Sequence, residues 1–242
     1  MASTAPSLAE LNARIVACER CPRLRAHCAE VARVRRRAYA DFEYWGRPVP
    51  SFGDSDAEMG ARVLVLGLAP GAHGSNRTGR IFTGDGSGDF LYPVLHETGF
   101  ASQPKAVSRN DGMKLSGLWI SAVVRCAPPA NKPTPEDLRN CAPWLDEEVG
   151  LLLNLRVVVC LGKIAFDGFL GHQLRAGRIA ARAGFAFRHG AEYALNGGLT
   201  LMASYHPSLQ NTNTGKLTRP MLLSLFHRAR QLAGLGCEPV SG

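Results

Sequence analysis

The sequence predicts an α/β protein whose parallel sheet is covered by helices on both faces, and three observations predict it. Four short runs of branched apolar residues, Arg62–Leu66, Leu118–Arg125, Arg156–Leu161 and Leu199–Ser204, are each followed by glycine, proline or polar residues. Between them lie stretches with helical periodicity, so strand and helix alternate along the chain. The runs are short and predominantly apolar, as expected of strands buried on both faces. A chain of 242 residues with 45% hydrophobic content suffices for a single domain, residues 1–242, with a substantial core.

Residues 7–39 read as a basic helical segment and Pro48–Met59 as a loop. The strand at 62–66 empties into a glycine-rich segment, GLAPGAHGSNRTGRIFTGDGSG at 67–88, after which a helix is expected over Asp89–Thr98. Another helix begins at Thr134-Pro135-Glu136-Asp137, where a capping threonine, a proline at the first position and first-turn acids coincide. Its apolar positions Leu138, Cys141, Leu145, Val149 and Leu152 fall on one face. Further helices are expected over Lys163–Leu174 and Arg219–Leu232. Ligands of such sheets bind beyond the carboxyl ends of the strands, which directs attention to the loops after the first, second and fourth strands.

The charge is +8, with a sequence pI of about 9.4. That surplus favours a polyanionic partner, although an enzyme with a basic surface carries it equally well. The densest cluster, Arg33, Arg35, Arg36 and Arg37, fits an anion contact or a solvated helix face. No apolar stretch approaches the ~18 residues of a membrane span. The start, MASTAPSLAELNAR, has neither the basic nor the apolar region of a signal peptide, so a cytoplasmic location is expected.

The glycine-rich segment is not a nucleotide loop. Gly74-Ser-Asn-Arg-Thr-Gly79 continues with Arg80 and Ile81, where a phosphate-binding loop needs Lys and then Ser or Thr. No GxGxxG follows the strand either. The seven cysteines, without an export signal, point to metal binding or plain burial rather than disulfides. Cys18 and Cys21 form a CxxC pair, and Cys126 and Cys141 add two thiols from a strand end and a helix. Four thiolates from two segments suit a 4Fe–4S cluster or a tetrahedral zinc; a single CxxC favours the cluster, and burial of Cys126 and Cys141 as small residues is the plainer reading. Cys28, Cys160 and Cys237 have no partner at ligand spacing.

Four blocks then line up with one family. CERC at 18–21, GLAPGAHGSNRTGRIFTGD, VVRCAPPANKPTPEDLRNC and SYHPSLQNTNTGKLT closely resemble, in that order, the type-5 uracil-DNA glycosylases, the iron–sulfur branch of their superfamily. The resemblance spans about residues 15–232. It implies a three-layer α/β/α sandwich around a four-stranded parallel sheet. It further implies a structural 4Fe–4S cluster on Cys18, Cys21, Cys126 and Cys141, two of them on the N-terminal helical segment. The implied activity is flipping and hydrolytic excision of uracil and other deaminated or damaged bases, leaving an abasic site. The implied partner is damaged, double-stranded DNA, met at the nucleoid by a monomer. The competing reading is a non-catalytic damaged-DNA-binding iron–sulfur protein.

The residues suit that chemistry. Cleavage develops positive charge on the deoxyribose and negative charge on the departing base. Asp85 can stabilise the sugar and orient or activate water, or it can merely cap a turn. His206, in HPS after the last strand, can donate a hydrogen bond to the base oxygen. Asn131, by resemblance, assists Asp85 or contacts the substrate. Phe82 is a candidate stacking platform, with Gly67 and Ala69 in the same loop. Leu209 and Gln210 occupy the place where related enzymes push a loop into the duplex, and Asn211 through Thr218, with Lys216 and Arg219 close by, follow as candidate phosphate contacts. Ala122 and Ala69 stand where the narrow uracil-specific branches carry asparagine and aspartate, which implies a less selective pocket.

Overall fold

Side-chain alternation along the central strands sets the layers. The computed structural model describes residues 7–56 and 60–236. On the strand Val63–Gly67 (β2, after a two-residue strand β1 at Phe52–Gly53), Val63 and Val65 face one core while Leu64 and Leu66 face another. The same period places Leu118 and Ile120 opposite Trp119 on β3 (Leu118–Ala122), and Val157 and Val159 opposite Val158 and Cys160 on β4 (Val157–Leu161).

The first core is closed by two helices, α4 (Gly86–Glu97) through Leu91, Val94 and Leu95, and α8 (Arg219–Leu232) through Leu222, Leu225 and Phe226. The second is closed by α5 (Pro135–Leu151) through Leu145 and Val149, and α6 (Lys163–Arg175) through Phe166, Phe169 and Leu170. The result is the expected α/β/α sandwich. A third cluster joins α1 (Leu8–Val16) and α2 (Pro22–Val34) to the end of β3: Leu11, Ile15 and Leu24 pack with Val124, Ala127 and Trp144. Among the described residues no helix is long and apolar enough to cross a membrane.

The sheet has six strands rather than four, in the order β1-β3-β2-β4-β6-β5, with β5 at Glu192–Leu195 and β6 at Leu199–Ser204. The central four are parallel, as expected; β1 and β5 add antiparallel edges. Sequence reading missed both for physical reasons. β1 is two residues inside the expected loop 48–59, and β5 is largely solvent-facing, so neither shows an apolar run. The second strand stops at Ala122 rather than Arg125, although Val123 and Val124 still donate to the Gly67 and Leu68 carbonyls at 3.0 Å. The segment 7–39 splits at the CxxC pair, because Ser7 caps α1 and Pro22 starts α2. Residues 57–59 of the expected loop, and Cys237, lie outside the described residues.

Candidate active site

The glycine-rich loop leaves β2, passes through a short helix α3 (Ser75–Thr78) and ends at α4. Its glycines clear space for particular atoms. A Cβ at Gly67 would lie 2.8 Å from Phe82 Cζ, so the ring sits over the end of β2 only because that position is bare. A Cβ at Gly74 would lie 2.0 Å from Asp85 Oδ2. Phe82 itself adopts a left-handed backbone, with φ at 54°, a strained conformation for a bulky residue.

Asp85 is the N-cap of α4, which therefore starts three residues before the expected Asp89. Its Oδ1 accepts from the Ser87 and Gly88 amides at 3.0 and 3.2 Å, while Oδ2 accepts no hydrogen bond from the described residues. Burial raises the carboxyl pKa above its usual value, and the two amides oppose that shift. Capping and cleft lining coexist in one side chain.

His206 follows the end of β6. Burial pushes its pKa down to about 4, so the imidazole is neutral near pH 7. Its ring lies 5.8 Å from that of Phe82, and its carbonyl accepts from Asn211 Nδ2 at 2.8 Å, tying it to the helix α7 (Leu209–Asn213). Asn131 closes a 3₁₀ turn in which Ala130 and Asn131 are both left-handed, at 51° and 55°.

A cleft of about 380 Å³ at the carboxyl ends of β2, β3 and β6 gathers these residues. Gly67, Ala69, Phe82, Asp85, Ala122, Asn131, His206 and Gln210 all line it. Ala122 enters because it pairs in register with Gly67. Leu209 does not line the cleft: it stands exposed at the start of α7 and packs over Gly86, where a Cβ would meet its Cδ2 at 2.7 Å. Ser75, Ser87 and Ser208 line the cleft and were not singled out from sequence; adjacency to the motif residues was their only signal. Of the candidate phosphate contacts, Arg219 is engaged by Glu97, and Lys216 Nζ lies 4.9 Å from the Tyr205 ring.

Cys21, Cys126 and Cys141 are buried in the third core cluster, and Cys18 packs against it. Burial chiefly raises the Cys141 thiol, with Cys21 and Cys18 adding to it, while the neighbouring Cys28 thiol is the chief influence that raises Cys126 and Cys141 a lesser one. The Asn140 amide lies 3.5 Å from Cys21 Sγ, and the indole N–H of Trp144, in the same cluster, is buried without a partner among the described residues. Four soft donors and an orphaned N–H fit a sulfur-rich cofactor. Among the described residues no three His, Cys, Asp or Glu side chains are grouped to hold one metal ion. Cys28, set aside on spacing, is buried beside Cys126, and Cys160 is buried inside β4.

A model of the uracil DNA glycosylase superfamily matches residues 54–230, and the chain belongs to that superfamily. It is 54% identical over 222 residues to the type-5 uracil-DNA glycosylase of Thermus thermophilus, covering 91% of this chain and 96% of that one. Against the type-5 uracil-DNA glycosylase of Mycobacterium tuberculosis it is 46% identical over 239 residues, or 97% and 85% of the two chains. The type-5 uracil-DNA glycosylase of Pyrobaculum aerophilum is 44% identical over 221 residues, 91% of each. Within the superfamily, these relatives put the chain in the type-5 branch.

Proposed function

We propose that the chain is a monofunctional DNA glycosylase of base excision repair, excising uracil and other deaminated bases from double-stranded DNA and leaving an abasic site. The observation that carries this reading is the single cleft in which Asp85, neutral His206 and the Phe82 ring meet. A base cannot be reached inside the stack, so it must be flipped into such a cleft. Phe82 then stacks against the base, Leu209 fills the gap in the duplex, and Gln210 and Asn131 contact the substrate. His206 donates to the base oxygen as negative charge collects there. Asp85 Oδ2, unspent by the helix cap, faces the positive charge on the sugar and orients the attacking water, with Asn131 assisting. Ala69 and Ala122 leave the base edge unread, which supports broad selectivity. Among the described residues that line the cleft none is a lysine, and hydrolysis by water fits them better than a Schiff-base lyase. We further propose a monomer acting on DNA at the nucleoid.

Cys18, Cys21, Cys126 and Cys141 would hold a 4Fe–4S cluster. The reading is supported by the packing of the four side chains, from the α1–α2 junction, the segment after β3 and α5, around one buried cluster. Held by these residues, the cluster would cross-link α1–α2 to the segment after β3 and to α5, and hydrolysis of the glycosidic bond needs no redox step from it. The test of function is incubation with uracil-containing duplex followed by alkaline cleavage. Strand scission only after alkali supports a monofunctional enzyme; binding without abasic sites would leave the damage-binding alternative.

A further inference from the structure

The glycine-rich loop has a second side. α3 gives Ser75 to the catalytic cleft, and gives Arg77 and Thr78 to a separate cleft of about 480 Å³. Trp45, Arg47 and Arg109 line this second cleft too, and Glu43 is the one carboxylate in its wall.

Trp45 is firmly placed. Its indole N–H donates to the Pro48 carbonyl at 3.0 Å and its amide to the Arg77 carbonyl at 2.9 Å. Gly79 leaves room for the ring, since a Cβ there would lie 2.9 Å from Trp45 Cδ2. Against that ring lie two exposed guanidiniums, Arg109 at 4.5 Å and Arg47 at 5.8 Å from the centroid. Neither pairs with a carboxylate of the described residues. Arg109 is also presented by a built loop. Asp111 accepts from the Val107, Ser108 and Met113 amides and takes a two-pronged ion pair from Arg80. Arg77 joins the two clefts. Its guanidinium lies 4.0 Å from the Tyr39 ring, and Nη2 donates at 2.8 Å to the carbonyl of Gly84, the residue before Asp85.

Guanidiniums oriented on an aromatic ring keep their N–H forks free, and such forks match phosphate oxygens two at a time. We propose that this cleft holds the phosphodiester backbone of the substrate DNA strand, anchoring it through Arg47 and Arg109 while the target base occupies the neighbouring cleft. The inference rests on the glycosylase reading and extends its footprint to the far side of α3. Arg77 makes the anchor and the Asp85 loop one mechanical unit.

The test uses the full chain carrying Arg47→Gln, Arg109→Gln and both together; the two side chains are exposed, so the variants fold. Single-turnover excision is followed across enzyme concentration at several salt concentrations. The expected result is a half-saturating concentration raised about tenfold in the double variant, with the maximal rate kept within about twofold. The slope of log affinity against log salt should shrink by about 0.9 per lost phosphate contact. An unchanged half-saturating concentration and salt slope, with excision intact, overturns the proposal and leaves the arginines as covers for Trp45. Trp45 emission distinguishes the anion source: quenching by inorganic phosphate but not by duplex overturns the DNA assignment. Anisotropy on undamaged duplex reads the same salt slope without catalysis. Absent excision by the unmodified protein would thus sink the glycosylase reading separately.

Discussion

Oδ1 of Asp85 holds the first turn of α4 while Oδ2 is left to the cleft, so two substitutions separate structure from chemistry. Asp85→Asn keeps a good cap and should slow excision by roughly 10²- to 10⁴-fold, the usual worth of such a group. Its raised pKa means that the folded protein tolerates the ionised form less well than the unfolded chain does, so burial of this charge costs stability at neutral pH. Asp85→Asn should therefore melt at the same temperature as the parent or higher, whereas Asp85→Ala should lose about 0.5–2 kcal/mol with the cap. Near-parental single-turnover rates for Asp85→Asn would reduce it to a cap. For His206→Ala a loss of about 10²–10³ in the chemical step is expected, smaller for bases that leave more readily. An equal loss on every base would make it a shaper of the loop. Because folded His206 titrates near 4 against an ordinary 6.5, the unfolded chain takes up protons first as pH falls. Its neutral form thus weakens the fold progressively from about pH 6.5 down to about 4. Ala122 has no polar atom to read a base edge, so hypoxanthine should be excised alongside uracil. Ala122→Asn should move the ratio toward uracil by the ~1–3 kcal/mol of a paired side-chain contact. An unmoved ratio means that residue 122 does not meet the base.

At the scale of elements, the CxxC break between α1 and α2 and Cys126, four residues beyond the end of β3, meet on α5. Cys18→Ser and Cys141→Ser should each lower iron content and melting temperature together, read by metal analysis and thermal unfolding; colourless protein with stoichiometric zinc would reverse the cofactor assignment. The elements differ in how openly the chain declares them. The central strands were legible because both faces are buried, which keeps their residues predominantly apolar. The α5 start was legible because Thr134 and Asp137 cap each other, a purely local signal. The edge strands were not, since two paired residues or an exposed Glu-Tyr-Ala-Leu carry no pattern. Among site residues, those in unusual motifs were legible, and Ser75, Ser208 and Arg77 were not. Serine is ordinary in loops, and the burial of Arg77 against Tyr39 depends on a segment nearly forty residues away in sequence. The buried Arg125–Glu148 pair, with Trp119, Ser121 and Ser51 bonded to the same carboxylate, was equally hidden. A charge at a strand end gives no sign that it faces inward.

For the molecule as a whole, the +8 charge makes DNA affinity a function of ionic strength. Affinity for duplex should fall linearly on a log–log scale with salt, while the maximal single-turnover rate of bound enzyme stays nearly flat; a rate that fell in parallel would mean that salt disrupts the cleft itself. Long-range packing has another consequence, which concerns how the protein is made. The apolar faces of α1 and α2 rest on Val124, Ala127 and Trp144, residues made a hundred or more positions after Leu11, Ile15 and Leu24. At roughly 5–20 residues per second, that separation is on the order of ten seconds of synthesis. Through that interval α1 and α2 can meet only their earlier partners, such as Ser51 beside Asn12 and Asn76 beside Cys28, and the apolar cluster around Leu11, Ile15 and Leu24 stays incomplete. The packing of α1 and α2 is thus completed only after β3 and α5 have been made.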